Sequence, residues 1–240
     1  MRIYSEVNYQ GQVLRGFHDK GNDETVIIIT HGIGGNKLGH KFIFRQFADF
    51  CVQKNLSVLR YDFLGSGESD GLFETTKHSE QVAQVELFIQ EAYNLGYQNI
   101  VLASTTIGCY GVWHAGIKHE DITCYVNWNP ILNYDRYEIN HKKHALADGT
   151  IPMKGLFTLP TYVTDLAKLK RQVPKIVQPV LILQGELDNE YCFGEAQNIC
   201  KEYKWSYKAI NKGNHLWEGT KVRTELFTKT VNFVQDVIKS

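Results

Sequence analysis

A hydroxyl and a carboxylate each stand just past an apolar run in this chain, at Thr106 and Asp188, and an imidazole, His215, lies in a loop before the last helix. Together such groups do acyl chemistry. A hydroxyl attacks an acyl carbon well only if a base takes its proton as the new bond forms. His215 is the candidate base, and a buried carboxylate would fix its tautomer and stabilise the imidazolium. Asp188 is the candidate acid, because it closely follows the run Val180 to Gln184 and its side chain can reach back to the His215 loop. Glu186 and Glu190 are close enough in sequence to compete for that role.

Thr106 is the informative member of the set. The segment Asn99 to Gly108 reads as a short apolar strand running straight into a tight turn, and Ile107 to Trp113 then reads as the start of a helix. Ser104 and Gly108 give the pattern S-x-T-x-G, in the strand–turn–helix context that a G-x-S-x-G nucleophile elbow requires. An elbow holds its nucleophile at positive φ, which a β-branched residue tolerates poorly. Strain of that kind costs ~1–3 kcal/mol. Threonine at this point is therefore either a crowded nucleophile or the mark of a site that no longer reacts.

These residues need strands to hold them, and the chain supplies strands in alternation with helices. Val26 to Thr30 is β-branched throughout, as a strand buried on both faces requires. It runs into His31-Gly-Ile-Gly-Gly35, a turn able to bring backbone N–H groups close to a bound oxygen. Leu56 to Tyr61 and Asp121 to Asn127 read as further strands, and Arg2 to His18 as an antiparallel hairpin turning near Gln10 and Gly11. Helices are expected over 41–53, 78–93, 195–201 and 223–238. Between about residues 130 and 174 the alternation stops. That insertion holds His141 and His144, a loop through Gly149, Pro152 and Gly155, and an apparent helix near 163–169. It reads as a small cap over the carboxyl ends of the strands, with Leu132, Tyr134, Tyr137, Met153, Leu156 and Phe157 as candidates for a pocket wall.

The order nucleophile, acid, histidine, combined with the glycine turn and the elbow, resembles the α/β-hydrolase superfamily over nearly the whole chain. Within it, the stretch Arg60 to Gly71 (R-x-D-x-x-G-x-G-x-S-D-G) and the short cap are similar to small bacterial cinnamoyl and feruloyl esterases. A shorter likeness, Ala103-Ser-Thr-Thr106 and Val163-Thr-Asp165, is to the acyl-transferases of bacterial luminescence, thioesterases of the same fold. The resemblance implies one α/β domain over residues 1–240, a mostly parallel sheet flanked by helices. It also implies backbone N–H groups of Ile33 and Ile107 as the oxyanion donors, with neither metal nor cofactor. The activity implied is hydrolysis of a carboxylic ester or thioester, with a small-molecule or carrier-bound acyl group as partner. Acyl transfer on the same triad and non-catalytic binding stand as alternatives.

Composition agrees with that class and excludes others. Of 240 residues, 26 are Lys or Arg and 26 are Asp or Glu, so no net field draws the chain to nucleic acid or to an anionic membrane. No apolar stretch approaches the ~20 residues that span a bilayer. The first residues carry no hydrophobic signal region, and the five cysteines show no metal-like pairing. A cytoplasmic enzyme with reduced thiols is the expectation. His141 and His144 lack a third partner for a metal and are expected in solvent. His31, Asp62 and the Gly65–Gly67 loop are expected to be scaffold, and Cys109 a core residue.

Overall fold

The computed structural model describes residues 1–21, 24–132, 137, 139, 142–153, 156–168, 173–188 and 193–240. At one edge of its central sheet lies the hairpin β1 (Arg2–Tyr9) and β2 (Gln12–Asp19). It turns through Gln10 and Gly11, both at positive φ, the geometry that matches strand twist in a two-residue hairpin loop. β2 joins β4 (Ser57–Tyr61) antiparallel. From β4 onward, β3 (Thr25–Thr30), β5 (Asn99–Thr105), β6 (Ile122–Trp128), β9 (Val180–Gly185) and β10 (Ser206–Ile210) are all parallel. The eight strands lie in the order β1-β2-β4-β3-β5-β6-β9-β10.

Strand periodicity divides the core into two layers. Val26, Ile28, Ile100 and Leu102 face one way, with Val85 and Phe88 of α2 (His78–Asn94) and Trp113 of α3 (Gly108–Gly116). Ile27, Ile29, Val101 and Ala103 face the other, with Phe47 of α1 (Ile43–Val52) and Leu226 of α6 (Thr220–Lys239). Because both faces are covered, the central strands read as unbroken apolar runs. β10 does not, since it is the edge strand and only Ile210 within it is buried. Its polar sequence hid it from periodicity.

The segment between β6 and β9 contains a hairpin, β7 (Ile151–Met153) with β8 (Leu156–Thr158), and a helix, α4 (Thr161–Lys168). The hairpin replaces the loop expected around Pro152. This insertion is stitched to the chain just before and at the start of α2. Leu159 N–H donates to Glu74 O at 3.0 Å, and Ser79 N–H and Oγ donate to the Asp165 carboxylate at 2.8 and 2.7 Å. The N-terminus of a helix that follows a parallel strand lies at the carboxyl end of the sheet, so the insertion sits on the side where ligands bind. The remaining helix, α5 (Phe193–Tyr203), covers β9 and β10. Among the described residues, no helix is long and apolar enough to cross a membrane.

Candidate active site

Thr106 closes β5 at φ 52°, a left-handed conformation that its branched side chain disfavours. Neighbours hold it there. Its N–H donates to Trp128 O at 3.1 Å, and its carbonyl accepts from Ile131 N–H at 3.3 Å and Cys109 N–H at 3.4 Å. The flanking small residues are steric requirements. A Cβ on Gly108 would meet His31 O at 2.7 Å, so α3 can approach the glycine turn only as glycine. A Cβ on Gly32 would overlap Thr106 Oγ1. The hydroxyl therefore points at the glycine turn, and among the described residues it has no hydrogen-bond partner.

Asp188 and His215 are brought together from residues 27 apart. Asp188 Oδ1 lies 3.1 Å from His215 Nδ1, and the carboxylate is buried. With a carboxylate as acceptor, Nδ1 carries the hydrogen and Nε2 keeps its lone pair. Gln184 Nε2 donates to the second oxygen, Oδ2, at 2.8 Å, and fixes the carboxylate plane. Of the rival acids, Glu186 is exposed and turned to solvent, whereas Glu190 lies outside the described residues.

The glycine turn faces Thr106 directly. Among the described residues, the N–H groups of Ile33 and Ile107 donate to no protein acceptor. That leaves both available to an oxygen bound at the elbow. His31 is the brace behind the turn: its Nδ1–H donates to Gly32 O at 2.8 Å and its Nε2 accepts from Phe63 N–H at 3.2 Å. Burial lowers its pKa and keeps it neutral. Asp62 is likewise scaffold. Its carboxylate accepts from Lys37 N–H and Nζ, both at 2.5 Å, and from Glu68 N–H at 2.8 Å. Cys51, Cys109, Cys124 and Cys200 are buried free thiols, and Cys192 lies outside the described residues. Burial pushes the Cys109 thiol up, away from thiolate chemistry. His144 is exposed and His141 lies outside the described residues.

A cavity of about 520 Å³ opens beside Thr106 and His215. Its wall is made by the glycine turn, Gly39 to Ile43, Phe44 and the loop His215 to Trp217. Among the described residues, none of the insertion lines it. Leu132 and Tyr137 are buried in the core instead, with Tyr137 Oη 2.9 Å from Tyr162 Oη and the latter 2.6 Å from His78 Nε2. Leu156 and Phe157 are 44% and 52% exposed. Tyr134 and the side chain of Met153 lie outside what is described. β8 and α4 dock against residues 73–75 and α2.

Two residues important to this geometry gave no sequence signal. Arg223 of α6, 8% exposed, donates to the carbonyls of Trp217 (2.9 Å), Lys41 (2.9 Å) and His40 (3.2 Å). Lys41 and Trp217 both line the cavity at positive φ, so one guanidinium holds a strained residue in each of two stretches of its wall. Asn129, which follows β6, bonds the loops of both Asp188 and His215. Each is one polar residue in an otherwise ordinary stretch, and only the tertiary fold reveals its partners.

No family model matches the sequence, and no curated protein matches it at the sequence level. Solved structures do match in shape. Est1E from Butyrivibrio proteoclasticus, with ferulic acid bound, superposes at a TM-score of 0.87 with 19% identity, covering 98% of this chain and 100% of that one. The chain has the α/β-hydrolase fold. Mouse alpha/beta hydrolase domain-containing protein 10 shares it, with a TM-score of 0.80, 15% identity and coverage of 98% and 99%. The thioesterase domain of the curacin biosynthetic pathway has a TM-score of 0.65 at 13% identity, covering 98% and 99%. In this fold the ends of β5 and β9 and the loop after β10 meet at one end of the sheet, which is where Thr106, Asp188 and His215 lie.

Proposed function

We propose that the chain is a hydrolase of carboxylic esters or thioesters that works through an acyl-enzyme on Thr106. The observation that carries this reading is the oriented pair of Asp188 and His215 at 3.1 Å, with His215 and Thr106 lining one cavity. Thr106 Oγ1 attacks the acyl carbon while His215 Nε2 takes its proton. The carbonyl oxygen, now negative, is held by Ile33 and Ile107 N–H. The imidazolium then protonates the departing alcohol or thiol, and a water activated by the same nitrogen releases the acid. Asp188 keeps His215 in the right tautomer throughout. Est1E with ferulic acid and the curacin thioesterase domain are similar in fold and support this class.

One observation favours a second reading, a non-catalytic binding protein: Thr106 Oγ1 lies against Gly32 and makes no hydrogen bond to His215. Rotation about χ1 turns the hydroxyl toward the imidazole, and catalytic bonds in unliganded sites often tighten only with substrate. Intact-mass analysis after incubation with activated esters and thioesters separates the two. The hydrolase reading expects an acyl adduct that maps to Thr106 and disappears in Thr106→Ala, along with turnover. No adduct and no turnover above the Thr106→Ala level across the panel gives the site to binding. Adding alcohol, amine and thiol acceptors to the same assay shows whether the acyl group passes to something other than water.

A further inference from the structure

Asn129 is fully buried and sits at φ 46°, a left-handed conformation that asparagine adopts more readily than most residues. Its N–H donates to Leu183 O of β9 at 2.8 Å. Its side chain is shared between two loops. Oδ1 accepts from Gly185 N–H at 2.7 Å, where the chain leaves β9 for Asp188. Nδ2 donates to the carbonyls of Asn214 and His215, each at 3.1 Å. Amide orientation follows from the partners, since a peptide N–H can only donate and a carbonyl can only accept. The preceding residue, Trp128, supplies the carbonyl that holds Thr106 N–H. Trp128 and Asn129 thus touch all three segments that carry the site.

We propose that Asn129 is a positioning residue: its carboxamide sets the distance between the His215 loop and the Asp188 loop, and with them the imidazole relative to Thr106. This rests on reading His215 and Asp188 as base and orienting acid. The loop 211–219 meets the Asp188 loop at Gly213, whose carbonyl accepts from Leu187 N–H at 2.7 Å, and the two Nδ2 bonds fix it at Asn214 and His215 to the end of β6. Without them the residue to be placed is the one whose ring must stay within hydrogen-bond reach of a buried carboxylate. Misplacement of ~1 Å is enough to cost on the order of 100-fold in rate.

Two substitutions that tolerate the left-handed backbone separate placement from folding. Asn129→Asp keeps the acceptor for Gly185 and loses both donors. Asn129→Gly loses the whole carboxamide. The readout is the Nδ1–H proton resonance of His215 in histidine-labelled protein, with kcat and KM measured on an activated ester and thermal melting as the control for folding. Wild type is expected to show a downfield, slowly exchanging Nδ1–H bonded to Asp188. Both variants are expected to lose or broaden it, and to lower kcat about 10- to 100-fold with KM little changed. If Asn129→Gly fails to fold, Asn129→Asp carries the comparison. Should the folded variant keep the wild-type resonance, Asn129 does not position His215 and the proposal is overturned. The resonance reports independently of turnover: a wild type without esterase activity sinks the proposed function, while the resonance still decides the role of Asn129.

Discussion

The floor of the site and the insertion above it both leave the sheet at the carboxyl end of a strand, yet Thr106 and Asp188 are tied to strand ends by backbone bonds while the β7–β8 hairpin and α4 are tied to residues 74–79. Thr106 and Asn129 are bonded to the neighbouring strand or its continuation through Trp128 O and Leu183 O, and Asp188 turns back onto the end of its own strand through Gly185 O. Among the described residues, the β7–β8 hairpin, Leu159 and α4 hydrogen-bond the rest of the molecule at Glu74, His78 and Ser79. Strained backbone marks the floor and the cavity wall at Lys41, Thr106, Asn129 and Trp217, all at positive φ, while Gln10, Asn55, Lys204 and Lys212 adopt that conformation in turns elsewhere. Unfavourable conformations of ~1–3 kcal/mol each persist only where surrounding bonds over-determine them. The floor has those bonds, and this is why the precise chemistry is expected there and not in the insertion.

The strongest way to break this comparison is to disable the floor without deforming it. Asp188→Asn retains the shape and the Gln184 contact but removes the charge that fixes the His215 tautomer. Hydrolysis is expected to fall about 10²- to 10⁴-fold while the melting temperature stays near wild type. A variant that hydrolyses esters at the wild-type rate would show that Asp188 is a structural partner of His215 and that the acid lies elsewhere.

Legibility in the sequence divides in the same way. Val26–Thr30 and Val180–Gln184 were readable because strands covered on both faces must be apolar, and the hairpin because Gln10-Gly11 is turn chemistry. Thr106, Asp188 and His215 were readable because each lies one short step past such a strand or loop. Arg223 and Asn129 were not, since a buried polar residue looks like an exposed one until its partners, up to 183 residues away, are in place. β10 was hidden by its polar edge. The wall that the glycine turn, α1 and the His215 loop form was not legible, because chain order gives the end of the sheet at which a cavity lies but not which loops surround it.

A smaller effect, of opposite sign, comes from relieving the elbow. Thr106→Ser keeps the hydroxyl, removes the methyl that crowds attack, and frees χ1 to turn from Gly32 to His215. An increase in kcat on the order of ten-fold is expected, equivalent to ~1.4 kcal/mol of barrier. A serine variant slower than wild type would mean that the methyl holds the hydroxyl in its reactive rotamer.

The floor also carries a pH signature. Burial lowers the pKa of His31 below its ordinary 6.5, and His18 and His114 are shifted the same way for the same reason. The unfolded chain therefore binds these protons first as pH falls. The stability that the neutral rings contribute is complete above about 6.5 and is lost as pH drops through the window down to the folded values. Urea unfolding midpoints at about pH 7.5 and 5.5 are expected to show lower stability in acid, with a flatter dependence in His31→Asn. Equal slopes in the two proteins would mean that His31 does not carry this dependence.

The least effect is expected in the insertion, where a near-null result sharpens the contrast. Phe157 is 52% exposed on β8, and Leu156 beside it is 44% exposed, so neither reaches the cavity at Thr106. Phe44 lines that cavity from α1 and is 2% exposed. Shortening Phe44 to leucine enlarges the wall where an acyl or leaving group would rest, and a change of about one methylene in such a pocket is worth ~1–3 kcal/mol of discrimination. Relative kcat/KM across esters of increasing acyl length is therefore expected to shift in Phe44→Leu. In Phe157→Ser the same series is expected to stay within about two-fold of wild type, because the lost surface was already in water. Suppose the outcome is reversed, with Phe157→Ser altering acyl preference and Phe44→Leu leaving it unchanged. Then the β7–β8 hairpin closes over Thr106 when substrate is bound, and the insertion, not the glycine-turn side of the floor, selects the acyl group.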